Sequence, residues 1–122
     1  MLAQYLDLTE QFLSQENNIV TFEVSNYDYV LAQFVGLSLG IDFYSTIDGG
    51  AVEGVTDGSV LTADNFQYIN GTNLSDNTQS QFIIGESGIY RFDVVGRYIR
   101  FQVRTDVGPS VDKLLIMLAK IG

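Results

Sequence analysis

Strict alternation over Gly88–Thr105, GIYRFDVVGRYIRFQVRT, constrains this chain more than any other feature. In Tyr98–Arg104 the residues Ile99, Phe101 and Val103 fall on one face, and Tyr98, Arg100, Gln102 and Arg104 fall on the other. Tyr90–Val94 alternates in the same way. A period of two places successive side chains on opposite faces of a sheet, so each run predicts a half-buried antiparallel strand. Val95-Gly96 stands between them and predicts a tight reversal, giving a hairpin with an apolar inside and an arginine-bearing outside.

The rest of the chain has the same texture. Ile19–Val24, Tyr29–Val35 and Ile41–Thr46 read as strands, with turn chemistry at Ser25–Asp28 and Asp48-Gly49-Gly50. Val60–Ile69 is a possible strand in a loop-rich stretch, Gln81–Ile84 is a short one, and Asn70–Asn77 (NGTNLSDN) predicts an exposed loop. Val111–Lys120 closes the series; its LLIML core would also suit a helix, but Gly108-Pro109 just before it favours a strand. About eight short strands at this spacing predict an all-β fold, an antiparallel β-sandwich with jelly-roll-like connections. At 122 residues one domain is expected, over residues 18–122, preceded by a short N-terminal helix or arm over residues 1–17. In that segment Leu2, Tyr5, Leu6, Phe12 and Leu13 recur at spacings near three and four, the pattern of an amphipathic helix with Thr9 and Glu10 facing water. Such an arm packs on its own sheet or docks on a neighbouring subunit, and Leu2, Tyr5 and Phe12 are the side chains it would bury there.

Composition removes whole classes of chemistry. The chain has no cysteine and no histidine, so disulfides, thiol nucleophiles and a Ser/His/Asp triad are excluded and a zinc site is not expected. A net charge of −9 opposes nucleic-acid binding. All six basic residues follow position 90, whereas twelve of the fifteen acids precede it. That asymmetry is balanced within the fold, by late strands lying beside early ones, or between subunits. No apolar run reaches the roughly 20 residues of a membrane-spanning helix, and the N-terminus lacks the pattern of a secretory signal.

Three constellations could carry function. Asp48, Glu53 and Asp57 share a glycine-rich loop that could hold calcium, though their spacing is not that of an EF-hand and Asp-Gly is ordinary turn chemistry. Tyr27, Tyr29, Phe66 and Tyr68 are candidates for stacking on sugars. Arg97, Arg100 and Arg104 would either pair with acids from the first half of the chain or meet an acidic partner surface. The sequons at Asn70 and Asn73 matter only in a eukaryotic secretory setting. Two carboxylates across a glycosidic bond would make a glycan-cleaving enzyme, but nothing in the sequence singles out a pair.

Taken in order, Tyr27–Gly36, Ile41–Gly50 and Gly88–Thr105 resemble a β-sandwich module of tailed-bacteriophage virion proteins. Phe43, Ser45, Asp48 and Gly49 lie close to its F-x-x-S-x-D-G turn; Gly88, Tyr90 and Arg91 match its G-x-Y-R strand. Gly96, Arg97, Tyr98, Arg100 and Val103 match the G-R-Y-x-R-x-x-V strand that follows. The N-terminal segment stands outside the module, and the tryptophan often found in its middle is missing. The resemblance implies a non-enzymatic virion protein without cofactor, made in the host cytoplasm and carried on the particle surface. Its partners would be the major capsid protein or other virion proteins, and it would work as a homo-oligomer, a trimer in the simplest arrangement, cementing adjacent capsid subunits through an apolar, arginine-containing patch. The competing expectation is an adhesion module of a tail, baseplate or fibre that binds host-surface carbohydrate.

Overall fold

A computed structural model of the chain describes residues 2–14, 19–36, 40–46, 66–84, 87–103 and 111–121. Among the described residues eleven strands and one short helix follow one another: β1 (Leu2–Asp7), α1 (Thr9–Ser14), β2 (Ile19–Glu23), β3 (Tyr29–Val35), β4 (Gly40–Thr46), β5 (Gln67–Tyr68), β6 (Gly71–Asn73), β7 (Gln79–Ser80), β8 (Phe82–Ile84), β9 (Gly88–Asp93), β10 (Tyr98–Val103) and β11 (Lys113–Lys120). One sheet has the order β1-β11-β3-β9-β6-β7; the other has β2-β10-β4-β5, with β8 also pairing β4. All pairings are antiparallel.

The logic of the fold lies in four nested pairs. β1 pairs β11, β2 pairs β10, β3 pairs β9 and β4 pairs β8. The chain is thus one long antiparallel ribbon, doubled at the β4–β8 connection and rolled so that successive segments of each arm fall in alternate sheets. That is jelly-roll connectivity, as the strand count and turn spacing predict. β5, β6 and β7 are additions inside the β4–β8 connection that widen the two sheets.

The nesting also corrects the predicted hairpin. β9 and β10 are adjacent in sequence but lie in different sheets, β9 beside β3 and β10 between β2 and β4. The four residues between them, Val94–Arg97, form an arch from one sheet to the other. It is stitched at both ends: Val94 N donates to Asp28 O at 3.0 Å, Arg97 N to Thr46 O at 2.8 Å, and Val24 N to Arg97 O at 2.8 Å. Alternation reveals which face of a strand is buried, but a hairpin and an arch bury the same faces.

The N-terminus is corrected too. Leu2–Asp7 is not helical; it is an edge strand, in register with β11 from Leu2↔Lys120 to Asp7↔Leu115. The helix is confined to Thr9–Ser14. Its start is fixed locally, since Asp7 Oδ1 accepts the Thr9 amide at 3.0 Å, and Thr9 Oγ1, expected to face water, accepts the Leu114 amide at 2.9 Å. Asn70–Asn77 is likewise not simply a loop, because Gly71–Asn73 joins the sheet beside β9 and Gly71 is buried where a Cβ would come within 2.6 Å of the Phe92 ring. The expected strand over Val60–Ile69 is described only at its end, as Gln67–Tyr68. The turn at Asp48–Gly50 and the connection at Asp106–Ser110 lie outside the described residues.

Between the sheets sits an aromatic core. Phe43 of β4 meets Phe92 edge-on at 4.7 Å and Phe101 at 5.6 Å, and Phe34 meets Phe101 at 5.3 Å. Rings from both sheets interlock, and aliphatic side chains such as Val30, Ile41, Ile99 and Leu114 fill the remaining space.

Candidate interaction surface

β3 (YVLAQFV) and β11 (KLLIMLAK) carry apolar side chains on both faces. In β3, Val30, Ala32 and Phe34 point into the core, and in β11 Leu114, Ile116 and Leu118 do so. The register then sets Tyr29, Leu31 and Val35 beside Ala119, Met117 and Lys113 on the opposite, outer face. Strands that are apolar on both faces are usually covered on both. Here Tyr29, Leu31, Val35, Leu115 and Met117 are only half-buried.

Three cross-strand rows define the surface. The central one runs Tyr5, Met117, Leu31, Arg91, Thr72 and Gln79; a second runs Asp7, Leu115, Gln33 and Ile89; a third runs Ala3, Ala119, Tyr29 and Asp93. Tyr5 is 74% exposed and Ile89 40%. The Arg91 guanidinium lies 4.4 Å from the Tyr29 ring centroid, and its Nε reaches Asp93 Oδ1 at 3.2 Å. The result is an apolar strip from Tyr5 to Leu31, bounded on one side by an arginine held between a ring and a carboxylate. β1 forms one edge of it. Its six residues LAQYLD contain one charge and no proline, and Leu2, the first of them, is 69% exposed. An edge strand this plain offers its backbone to another strand.

The residues expected to bind a partner are distributed differently. Leu2 and Tyr5 are exposed on β1, as an interaction role requires, but Phe12 is fully buried in the core and is not a docking residue. Arg97 is half-exposed and pairs with Glu23 at 3.0 Å, a late base meeting an early acid; such an exposed pair is worth at most about 1 kcal/mol. Arg100 is 3% exposed, so it is no surface anchor. It stands between Thr21 and Tyr44 on the outer face of the five-stranded sheet, 4.9 Å from the Phe66 ring, and burial holds its pKa below the usual guanidinium value. Beside it burial raises the pKa of Tyr44, reinforced by the bond Tyr44 donates to the Tyr68 hydroxyl at 3.3 Å. Arg104 and the Asp48, Glu53 and Asp57 loop lie outside the described residues, and among the described residues no cluster of three metal-ligating side chains occurs.

Of the four aromatic residues considered for sugars, Phe66 is buried, Tyr29 lies under Arg91, and Tyr27 donates its hydroxyl to Gln4 at 2.7 Å. Tyr68 alone opens onto a cleft, of about 330 Å³, between β5 and the β6–β7 edge. The Arg91, Leu31, Met117 and Ile89 surface was not anticipated from sequence. Its signal was the doubly apolar pattern of β3 and β11, which strand assignment alone does not use.

Two turns respond to acid. Asp76 accepts the Thr78 amide at 3.0 Å and hydroxyl at 2.7 Å, which hold its carboxyl below the ordinary value; Asp7 is lowered by the Thr9 hydroxyl and amide. A depressed carboxylate contributes stability that is complete above its unfolded pKa of about 4 and is lost as pH falls through the folded value. Amide resonances of Thr78 and Thr9 are therefore expected to stay constant from neutral pH down to about pH 4 and to shift together with loss of these bonds below it.

No family model matches the chain, and no curated protein matches it. A prophage-derived protein shares the fold. The crystal structure of SPBc2 prophage-derived protein YomS superposes with a TM-score of 0.65 at 17% identity, over 97% of this chain and 95% of YomS. At that identity the likeness is one of architecture. A 97% span omits too few residues to leave out both β1 and α1, so the likeness to YomS reaches into the N-terminal segment and is not confined to the strands from Tyr27 onwards. No helix among the described residues is long and apolar enough to cross a membrane.

Proposed function

We propose that this protein is a non-enzymatic structural component of a bacteriophage particle, which decorates the capsid and holds neighbouring subunits through the outer face of its six-stranded sheet. The observation that carries the reading is the half-uncovered apolar strip of Tyr5, Met117, Leu31 and Leu115, bounded by Arg91. Apolar surface of this kind, continuous across three strands, marks a contact surface. Phage origin is supported by the architecture shared with YomS and by the virion-like motifs at Gly88–Thr105.

Size argues for more than one copy. Six strands at about 4.8 Å spacing and some six residues at about 3.3 Å give a face of roughly 500 Å², short of the roughly 800 Å² each partner contributes to a standard stable interface. Several weak faces linked in an oligomer would recover affinity through effective concentration, and the β1 edge, unpaired among the described residues, supplies a place to link them. A trimer satisfies both requirements.

The test is sedimentation with capsids that lack the protein. Wild-type chain is expected to bind at a fixed copy number and to raise capsid resistance to heat. Leu31→Glu with Met117→Glu, placed where neither side chain enters the core, is expected to weaken binding by at least about 100-fold, since a desolvated charge replaces an apolar contact. Unchanged circular dichroism would show that the variant is folded. Wild-type protein that stays in the supernatant, or a folded double variant that binds normally, would overturn the reading. A tail or fibre adhesion role is the second reading, favoured by the cleft at Tyr68.

A further inference from the structure

We propose that the cleft between β5 and the β6–β7 edge is a binding site for a neutral sugar. It lies at the far end of the six-stranded sheet from Tyr5. Its walls come from β5, β6 and β7, the three strands that the nested pairs of the jelly roll do not require, and from Arg91 and Asp93 of β9 and Val95 of the arch beside them. Additions to a complete architecture are where function is commonly grafted. At about 330 Å³ the cleft is at the small end of ligand sites, which span about 300–1,000 Å³.

The chemistry of the lining selects the ligand. Arg91, Thr72 and Gln79 are register partners across three strands, so their side chains stand in a row about 4.8 Å apart along one side. Asn70 and Gln81 add amide groups. Amides and hydroxyls both donate and accept, as sugar hydroxyls do. Among the described lining residues the only two charges, Arg91 and Asp93, are paired at 3.2 Å and cancel. An anionic ligand would meet no net positive charge there and would approach a chain of net charge −9, which disfavours phosphate or sulfate groups. Tyr68 supplies an aromatic wall against which the C–H face of a pyranose can lie. Its ring is held in place by stacking on Tyr44, with centroids 4.7 Å apart at 27°.

The site is also preorganised. The β6–β7 turn is braced by Asn73 Oδ1, which accepts both the amide and hydroxyl of Ser75 at 2.9 and 2.8 Å, and by the Asp76 to Thr78 pair of bonds. Asn77 takes the left-handed conformation, φ 61°, that completes the reversal. Little ordering therefore opposes binding.

The experiment is an NMR titration of isotope-labelled protein with glucose, galactose and N-acetylglucosamine separately, with glucose 6-phosphate as the anionic control. At least one neutral sugar is expected to shift the amides of Asn70, Thr72 and Gln79 saturably in the millimolar range, more tightly than the phosphorylated control. Gln81→Ala and Tyr68→Ala, both at exposed positions, are each expected to weaken that binding about three- to tenfold, the loss of one hydrogen bond or one stacking contact, while thermal stability stays near wild type. Absence of saturable shifts for all three sugars, shifts confined to another part of the molecule, or equal binding by both variants would overturn the proposal. Capsid sedimentation is tested at Leu31 and Met117, which do not line the cleft, so the two proposals fail separately although both sites border on Arg91.

Discussion

Phe43→Ala is expected to lower the free energy of unfolding by about 3–5 kcal/mol, the range for truncating a fully buried ring. Phe43 is fully buried, and its ring touches Phe34 and Tyr90, both at 6.1 Å, as well as Phe92 and Phe101. Those partners come from both sheets, so the cavity left by truncation would lie in the middle of the interlock where neither sheet can collapse to fill it. Domains of this kind have about 5–15 kcal/mol in all, and a urea midpoint lower by roughly 2 M would follow for an ordinary denaturant slope. Phe43→Leu keeps most of the volume and should cost less than half as much. A midpoint for Phe43→Ala within error of wild type would mean that the core is not organised around this ring.

Gly96→Ala is the second large effect, from the opposite cause. A Cβ at position 96 would fall 2.5 Å from Ser45 Oγ and 2.7 Å from the Thr46 carbonyl oxygen. Neither can withdraw freely, because Ser45 Oγ donates to Tyr98 O at 2.7 Å and Thr46 O accepts the Arg97 amide. One methyl group must therefore push the arch away from β4, at about 1–3 kcal/mol, which in a domain of this size is a fall in melting temperature of roughly 4–12 °C. Val95→Ala, at the exposed crest of the same arch, should change stability by less than about 0.5 kcal/mol. Scanning calorimetry of the two variants side by side checks both, and equal melting temperatures would contradict the close approach.

These two residues show what could and could not be read from the chain. Phe43 and its neighbours declare themselves as core by alternation, and β3, bounded as Tyr29–Val35, is found at its expected limits because Asn26, Asp28 and Gly36 punctuate it. Gly96 was expected to serve a hairpin; it serves an approach between an arch and a third strand distant in sequence, which no local pattern encodes. Leu2, Tyr5 and Leu6 fit a helical stripe as well as an edge strand, and pairing with β11 decides between them. Arg100 illustrates the limit of charge as a guide: its place on the strand's polar face was legible, but its burial beside Phe66 depends on tertiary packing.

The nesting of strands bears on how the protein is made. β1 leaves the ribosome well before its partner β11, which follows more than a hundred residues later, on the order of ten seconds of synthesis. β11 also fills the space between β1 and β3. Until it arrives, β1 has no neighbour to join it to the larger sheet, both flanking strands expose unpaired backbone, and the strip formed by Tyr5, Met117 and Leu31 does not exist. Any contact made through that strip is thereby deferred until the fold has closed, so that an unfinished chain presents no such surface.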